Sequence, residues 1–202
     1  MTVAHVEVLV EEQSMEAALR ALLPRLLGGK SFEIYPFQGK ADLLANLPDR
    51  LKGYRSWLPK DWRIVVVVDR DDDDCMELKQ RLERTALSNN FSTKSNPCRD
   101  SYEVVNRLAI EELEAWYFGD WDAVRIAYPK ASPTIPGKAA YRQPDAIRGG
   151  TWEAFERVMK KAGYFKNGLR KVEAARKVAA HLNPNSNSSP SFCMFRDALL
   201  GL

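Results

Sequence analysis

Five carboxylates fall within six positions at Asp69 and Asp71-Asp72-Asp73-Asp74, directly behind the five apolar residues Ile64-Val65-Val66-Val67-Val68. Two carboxylates about 4 Å apart repel by roughly 4 kcal/mol at an effective dielectric near 20, so acids gathered in this way call for a bound cation or a basic partner. The plainer alternative is a solvated acidic turn that caps the next helix. The chain has only two histidines, His5 and His181, and its three cysteines, Cys75, Cys98 and Cys193, are far apart with no Cys-x-x-Cys. Structural zinc and Ser/His/Asp or Cys/His catalysis are therefore poor fits, and the thiols read as incidental in a reducing compartment. Any chemistry belongs to the carboxylates.

The elements that must position them follow from periodicity. A continuous apolar run such as Ile64 to Val68 suits a strand covered on both faces, hence a parallel α/β sheet, and ligands in such sheets bind beyond the carboxyl ends of the strands. Residues 3 to 10 read as a first strand ending at Glu11-Glu12, and Ser14 reads as the cap of a helix from Met15 to Leu27 that Pro24 should kink or shorten. Ser31 to Phe37 reads as a second strand that Pro36 ends or places at an edge. Helices follow around Asp42 to Tyr54 and over Met76 to Leu87, and a further strand lies within Tyr102 to Ile110. The order β-α-β-α-β-α-β predicts right-handed crossovers and a parallel sheet.

In the helix expected after Ile110, the side chains of Ile110, Leu113 and Tyr117 share a face with Glu114, while Glu112 points away. A carboxylate on an apolar stripe needs a partner, so Glu114 is either a further metal-site acid or paired with Arg107 or another Arg. Residues 129 to 150, rich in Pro and Gly, read as a linker. Three helices then follow: one capped by Thr151, one over about Leu169 to His181, and one that Pro190 starts, with Phe192, Phe195 and Leu199 inward.

The net charge of +3 is unevenly spread. Residues 1 to 128 hold 17 Lys and Arg against 22 Asp and Glu, whereas residues 129 to 202 hold 13 against 5. An acidic half joined to a basic half suits a phosphate-rich substrate, the alternative being basic helices that simply face water. The expected organisation is a core over 1–128 and a linker with a basic helical extension over 129–202. No apolar run reaches the ~18 residues of a membrane span, and no leader is recognisable, so a cytoplasmic location with no membrane partner is expected.

A strand ending in Glu, here Val10-Glu11, followed two strands later by one ending in Asp-x-Asp, here Asp69-Arg70-Asp71, resembles the Toprim fold of topoisomerases, bacterial primases and OLD-type nucleases. More closely, Val10-Glu11-Glu12-Gln13-Ser14-Met15-Glu16, Asp69 to Asp73, Arg107 to Trp116 with Asp120, and Ser191 to Arg196 are similar to a small Toprim-related family. Its members often sit beside AAA or ABC-type ATPase genes in bacterial defence loci. One position departs from that pattern: Glu12 stands where Gly is common, so Glu12 either joins the site or points to solvent.

The resemblance implies an α/β Toprim-like parallel sheet flanked by helices, with a helical carboxy-terminal extension. It implies that Asp69 and Asp71 hold Mg²⁺ or Mn²⁺, that Glu11 completes the coordination or takes a proton, and that Asp73 and Glu114 are lesser ligands. Glu11, Asp69 and Asp71 are accordingly expected in one cluster. Lys166, Arg170 and Lys171 are the expected contacts to a nucleic acid backbone. The implied function is a metal-dependent nuclease, the effector of a defence system whose ATPase is a separate chain, since no P-loop occurs here. Two rivals stand beside it: a metal-dependent phosphatase or phosphotransferase with Asp69 as nucleophile, and a non-enzymatic regulator that binds the ATPase.

Overall fold

The computed structural model describes residues 2–99 and 101–202; Met1 and Asp100 lie outside the described residues. Strands β1 (His5–Val10), β2 (Ser31–Pro36), β3 (Trp62–Asp69) and β4 (Val104–Ala109) form one all-parallel sheet in the order β2-β1-β3-β4. The connections are α1 (Gln13–Leu26), α2 (Lys40–Trp57) and α3 (Cys75–Ser88). Because the chain steps one way from β1 to β2 and the other way from β2 to β3 and β4, right-handed crossovers put α1 on one face and α2 with α3 on the other. The expected α/β class, a parallel sheet between helices, is the one observed.

The apolar run of β3 explains itself once both faces are covered. Ile64, Val66 and Val68 pack with Leu43, Leu47 and Leu51 of α2 and Leu78 and Leu82 of α3. Val65 and Val67, alternate along the strand, join Val8, Val10 and the α1 residues Leu19, Leu22 and Leu23 on the opposite face. That second layer extends to α4 (Glu114–Gly119), α5 (Trp121–Ala127), α6 (Thr151–Lys161), α7 (Lys171–Ala179) and α8 (Pro190–Leu200), which contribute Trp116, Val124, Phe155, Val178, Phe192 and Phe195. Arg25 at the end of α1 donates to the carbonyls of Ala179 at 2.5 Å and Leu182 at 2.6 Å, fastening α1 to the end of α7. Pro36 lies in the edge strand β2, where its missing N–H costs no ladder bond. Among the described residues no helix is long and apolar enough to cross a membrane.

Several boundaries differ from the sequence expectation, each for a local reason. The cap of α1 is Glu12 with extended backbone, and Ser14 sits inside the first turn with its hydroxyl on the Glu12 carboxylate. The helix neither ends nor shortens at Pro24, since Leu27 N–H still reaches the Leu23 carbonyl at 2.9 Å. Thr151 is the first residue of α6, behind Gly150 (φ 82°), and its hydroxyl donates to Glu112 at 2.9 Å. The helix expected from Ile110 starts only at Glu114, because Glu111 is engaged by its carbonyl, which accepts from Asp71 N–H at 2.8 Å. α7 starts at Lys171 and not Leu169, whose N–H is taken by the Glu156 carboxylate at 2.8 Å.

Candidate functional site

The sheet reverses its direction of growth between β1 and β3, and the loops that leave these two strands diverge. The region beyond the carboxyl ends at such a point is the usual ligand position in an open parallel sheet. Glu11 follows β1 immediately and Asp69 is the last residue of β3, so both stand there. Asp69 N–H donates to Glu11 Oε2 at 3.2 Å. The Asp69 side chain is 5% exposed, and its Oδ1 has no hydrogen-bond partner among the described residues. Glu114, 2% exposed at the start of α4, adds a third acid.

These acids perturb one another. Burial, then the charges of Glu11, Glu114, Asp71 and Glu12, hold the Asp69 carboxyl well above the ordinary carboxylate range. Burial and then Asp71 raise Glu11 to about 7. Burial also raises Glu114 to about 7, against the opposing pull of Lys171. An acid that is costly to ionise in the free protein is one whose charge a cation would relieve. Arg107, the alternative partner for Glu114, instead donates to the carbonyls of Met194 at 3.1 Å and Asn106 at 3.0 Å.

Two lysines supply the compensating charge. Lys40 begins α2 directly after Gly39, whose φ of 104° is a conformation that suits glycine, and its ammonium reaches Asp71 at 2.8 Å, Asp73 at 2.6 Å and the Arg70 carbonyl at 2.8 Å. Asp71 itself is left-handed (φ 49°), which Asp tolerates better than most residues. Lys171, at the start of α7, lies 5.3 Å from the Trp152 ring centroid. Burial works against its ammonium, yet Glu114, Glu12, Glu112 and Asp69 hold its pKa above the ordinary lysine value.

The acidic run is therefore divided. Asp69 is buried at the end of β3, Asp71 and Asp73 pair with Lys40, and Asp72 is exposed. Asp74 caps α3, accepting from Met76 N–H and Glu77 N–H at 2.9 Å each. Of the two sequence readings, helix capping describes Asp74, and a basic partner describes Asp71 and Asp73. Glu11 and Asp69 come together with Glu114 nearby. Asp71, expected to converge with them, is turned to Lys40. Among the described residues no three His, Cys, Asp or Glu side chains stand close enough to hold a metal ion as they are placed. Glu12 belongs to the acid group, since its charge is felt by Glu11, Asp69, Glu114 and Lys171.

Of the three expected phosphate contacts, Lys166 and Arg170 are exposed on the loop before α7, Arg170 also pairing with Glu173 at 2.9 Å. Lys171 sits beside the acids instead. Sequence reasoning missed Lys40, for which the Gly39-Lys40 pair just beyond a strand was the available signal. It also missed Glu112, whose carboxylate accepts from Thr151 Oγ1 and from Trp152 N–H, both at 2.9 Å, and so caps α6 from a distant loop.

The family model described as "Domain of unknown function (DUF4276)" matches residues 10–200, and the chain belongs to that family. No curated protein matches it. Among solved structures, the "C-terminal region of the Xanthomonas campestris pv. campestris OLD protein phased with platinum" is similar at a TM-score of 0.45 and 14% identity, over 98% of this chain and 94% of that one.

Proposed function

We propose that this chain is a metal-dependent nuclease that cuts or nicks nucleic acid phosphodiesters beyond the carboxyl ends of β1 and β3. The observation that carries the reading is Asp69: a buried carboxylate with an unsatisfied oxygen, beside a second carboxylate, at the switch point of a parallel sheet. A buried unpaired carboxylate costs several kcal/mol unless something neutralises it. The donors are carboxylate oxygens, the hard type that suits Mg²⁺ or Mn²⁺. Glu11 and Asp69 would hold the ion, with Glu114, Asp71 and Asp73 as further donors, and the ion would lower the pKa of water and offset charge on the leaving oxygen.

The remaining work falls to the protein. Where it is not itself a ligand to the ion, Glu11, with its pKa raised to about 7, suits transfer of a proton from the attacking water. Lys40 and Lys171 put positive charge on two sides of the acids, where phosphate oxygens of a bound strand would be met. Lys166 and Arg170 extend that charge along the backbone without reading sequence. A separate AAA or ABC-type ATPase as partner, a role in bacterial defence and a cytoplasmic setting belong to the same proposal and rest on the motif resemblance.

Cleavage of plasmid and of labelled oligonucleotides, with and without the ATPase expressed from the same locus, tests the reading. EDTA should abolish the reaction, as should Glu11→Gln and Asp69→Asn with the fold retained by circular dichroism. Undiminished cutting by Asp69→Asn would rule the site out. The non-enzymatic reading draws on Lys40, which already neutralises Asp71 and Asp73 without an ion. It expects no change in melting temperature on adding metal.

A further inference from the structure

The carboxy-terminal positive charge does not all gather at the carboxylates. Lys130, Lys138 and Lys161 line one cleft of about 160 Å³, together with Ile135, Tyr141 and Val158. All three lysines are exposed, and among the described residues none is in an ion pair, whereas their neighbours Lys160 and Lys177 pair with Glu156 at 3.0 Å and Glu173 at 2.9 Å. Three uncompensated ammonium groups on one cleft repel each other and favour an anion there. A bare anion would not need the rest of the lining. Tyr141 stacks on Phe118 with centroids 5.3 Å apart and planes at 9°, and Phe118 stacks in turn on Trp121 at 5.5 Å. The ring is thus a rigid aromatic surface next to the buried side chains of Ile135 and Val158.

We propose that this cleft seats one unstacked nucleotide of a single-stranded nucleic acid, its base on the Tyr141, Ile135 and Val158 lining and its flanking phosphates on the three lysines. An aromatic platform with cations around it is the general means of holding single strands, because every base has a π-face and every linkage a charge. A duplex keeps its bases stacked and would use only the lysines. The cleft is joined to the carboxylate site by one short segment. From Lys161 the chain runs to Tyr164, whose hydroxyl accepts from Lys130 N–H at 3.1 Å, then to Phe165, 5.8 Å from the Arg170 guanidinium, and then to Lys171 beside the acids. The inference rests on the proposed nucleic acid substrate and adds that its single-stranded form is held at this cleft.

Fluorescence anisotropy with a short labelled oligothymidylate, in EDTA so that no cleavage occurs, tests the cleft. Lys138→Gln and Lys161→Gln should each weaken binding roughly fivefold near 0.1 M salt and lower the slope of log K against log salt by roughly 0.7. A hairpin duplex of equal length should bind more weakly than the single strand. Unchanged affinity and slope in the double variant, tighter binding of the duplex, or no binding of either form would overturn the proposal. Binding and cutting separate the two readings: a cleft that binds in a chain that never cuts would refute the nuclease and leave the cleft standing.

Discussion

Glu114→Gln separates a buried acid held neutral from an ordinary ion pair with Lys171. Glu114 is 2% exposed, and its pKa is raised from 4.5 to about 7, chiefly by burial. Between those values the folded chain keeps the Glu114 proton that the unfolded chain has released, so rising pH favours unfolding. The stability associated with this proton is complete below 4.5 and is lost as pH passes about 7. At about 1.4 kcal/mol for each tenfold change in the proton equilibrium, the full loss is about 3 kcal/mol. Gln imitates the protonated acid and does not titrate. In EDTA the variant should therefore match the wild type near pH 4.5 and exceed it by about 3 kcal/mol at about pH 8, which for a chain of this length is a gain of roughly 6–12 °C in melting temperature. Urea and thermal unfolding of both proteins across that range supply the difference, in which the titrations of distant groups cancel. A difference that stays flat with pH, or a variant that loses stability as pH rises, would mean that Glu114 is an ionised partner of Lys171, and the reasoning would fail.

Magnesium or manganese should raise the melting temperature of the wild type, by the equivalent of about 2.7 kcal/mol at a hundred times the dissociation constant, and more at about pH 8 than at about pH 5 because the carboxylates bind only when deprotonated. Asp69→Asn should blunt the rise; a melting curve indifferent to millimolar ion in the wild type would exclude an ordered cation. Glu112→Ala removes the acceptor of the Thr151 hydroxyl and the Trp152 N–H and should cost about 1–2 kcal/mol, roughly 2–8 °C, while Glu112→Gln recovers most of it. Equal melting of Glu112→Ala and wild type would show that α6 does not depend on this cap.

The layers of the fold were legible because burial on both faces writes a signature no other environment requires. Ile64 to Val68 could be uninterrupted only if α2 and α3 covered one side and α1 the other, and the alternation of strand and helix implied that covering. Strand ends were legible for the same reason, and with them Glu11 and Asp69. Caps were read less well where the capping group came from afar. Ser14 and Thr151 have the right chemistry at the right place, yet Thr151 gives its hydroxyl to Glu112, which lies 39 residues earlier in the chain and serves the α6 terminus itself.

What local pattern could not convey is which cation meets which acid. Lys40 reaches Asp71 and Asp73 because β2 and β3 flank β1, which brings the start of α2 alongside the loop after β3. Lys171 comes within electrostatic reach of Glu114 because α7 packs on the α1 face, where the start of α4 is also buried. Both encounters depend on strand order and crossover side. Counting charges along residues 129 to 202 detects an excess of Lys and Arg, and it treats Lys171 and Lys138 alike. In three dimensions they differ in kind: one is half-buried and has its field answered in part by Glu12 and Glu112, and the other is exposed with no ion pair among the described residues. A charge already answered contributes little to long-range attraction for a polyanion, whereas an unanswered one contributes a released counterion for each phosphate it meets. The salt dependence of nucleic acid binding should therefore be carried by Lys130, Lys138, Lys161 and Lys166 far more than by Lys171, although the sequence places all five in the same basic half.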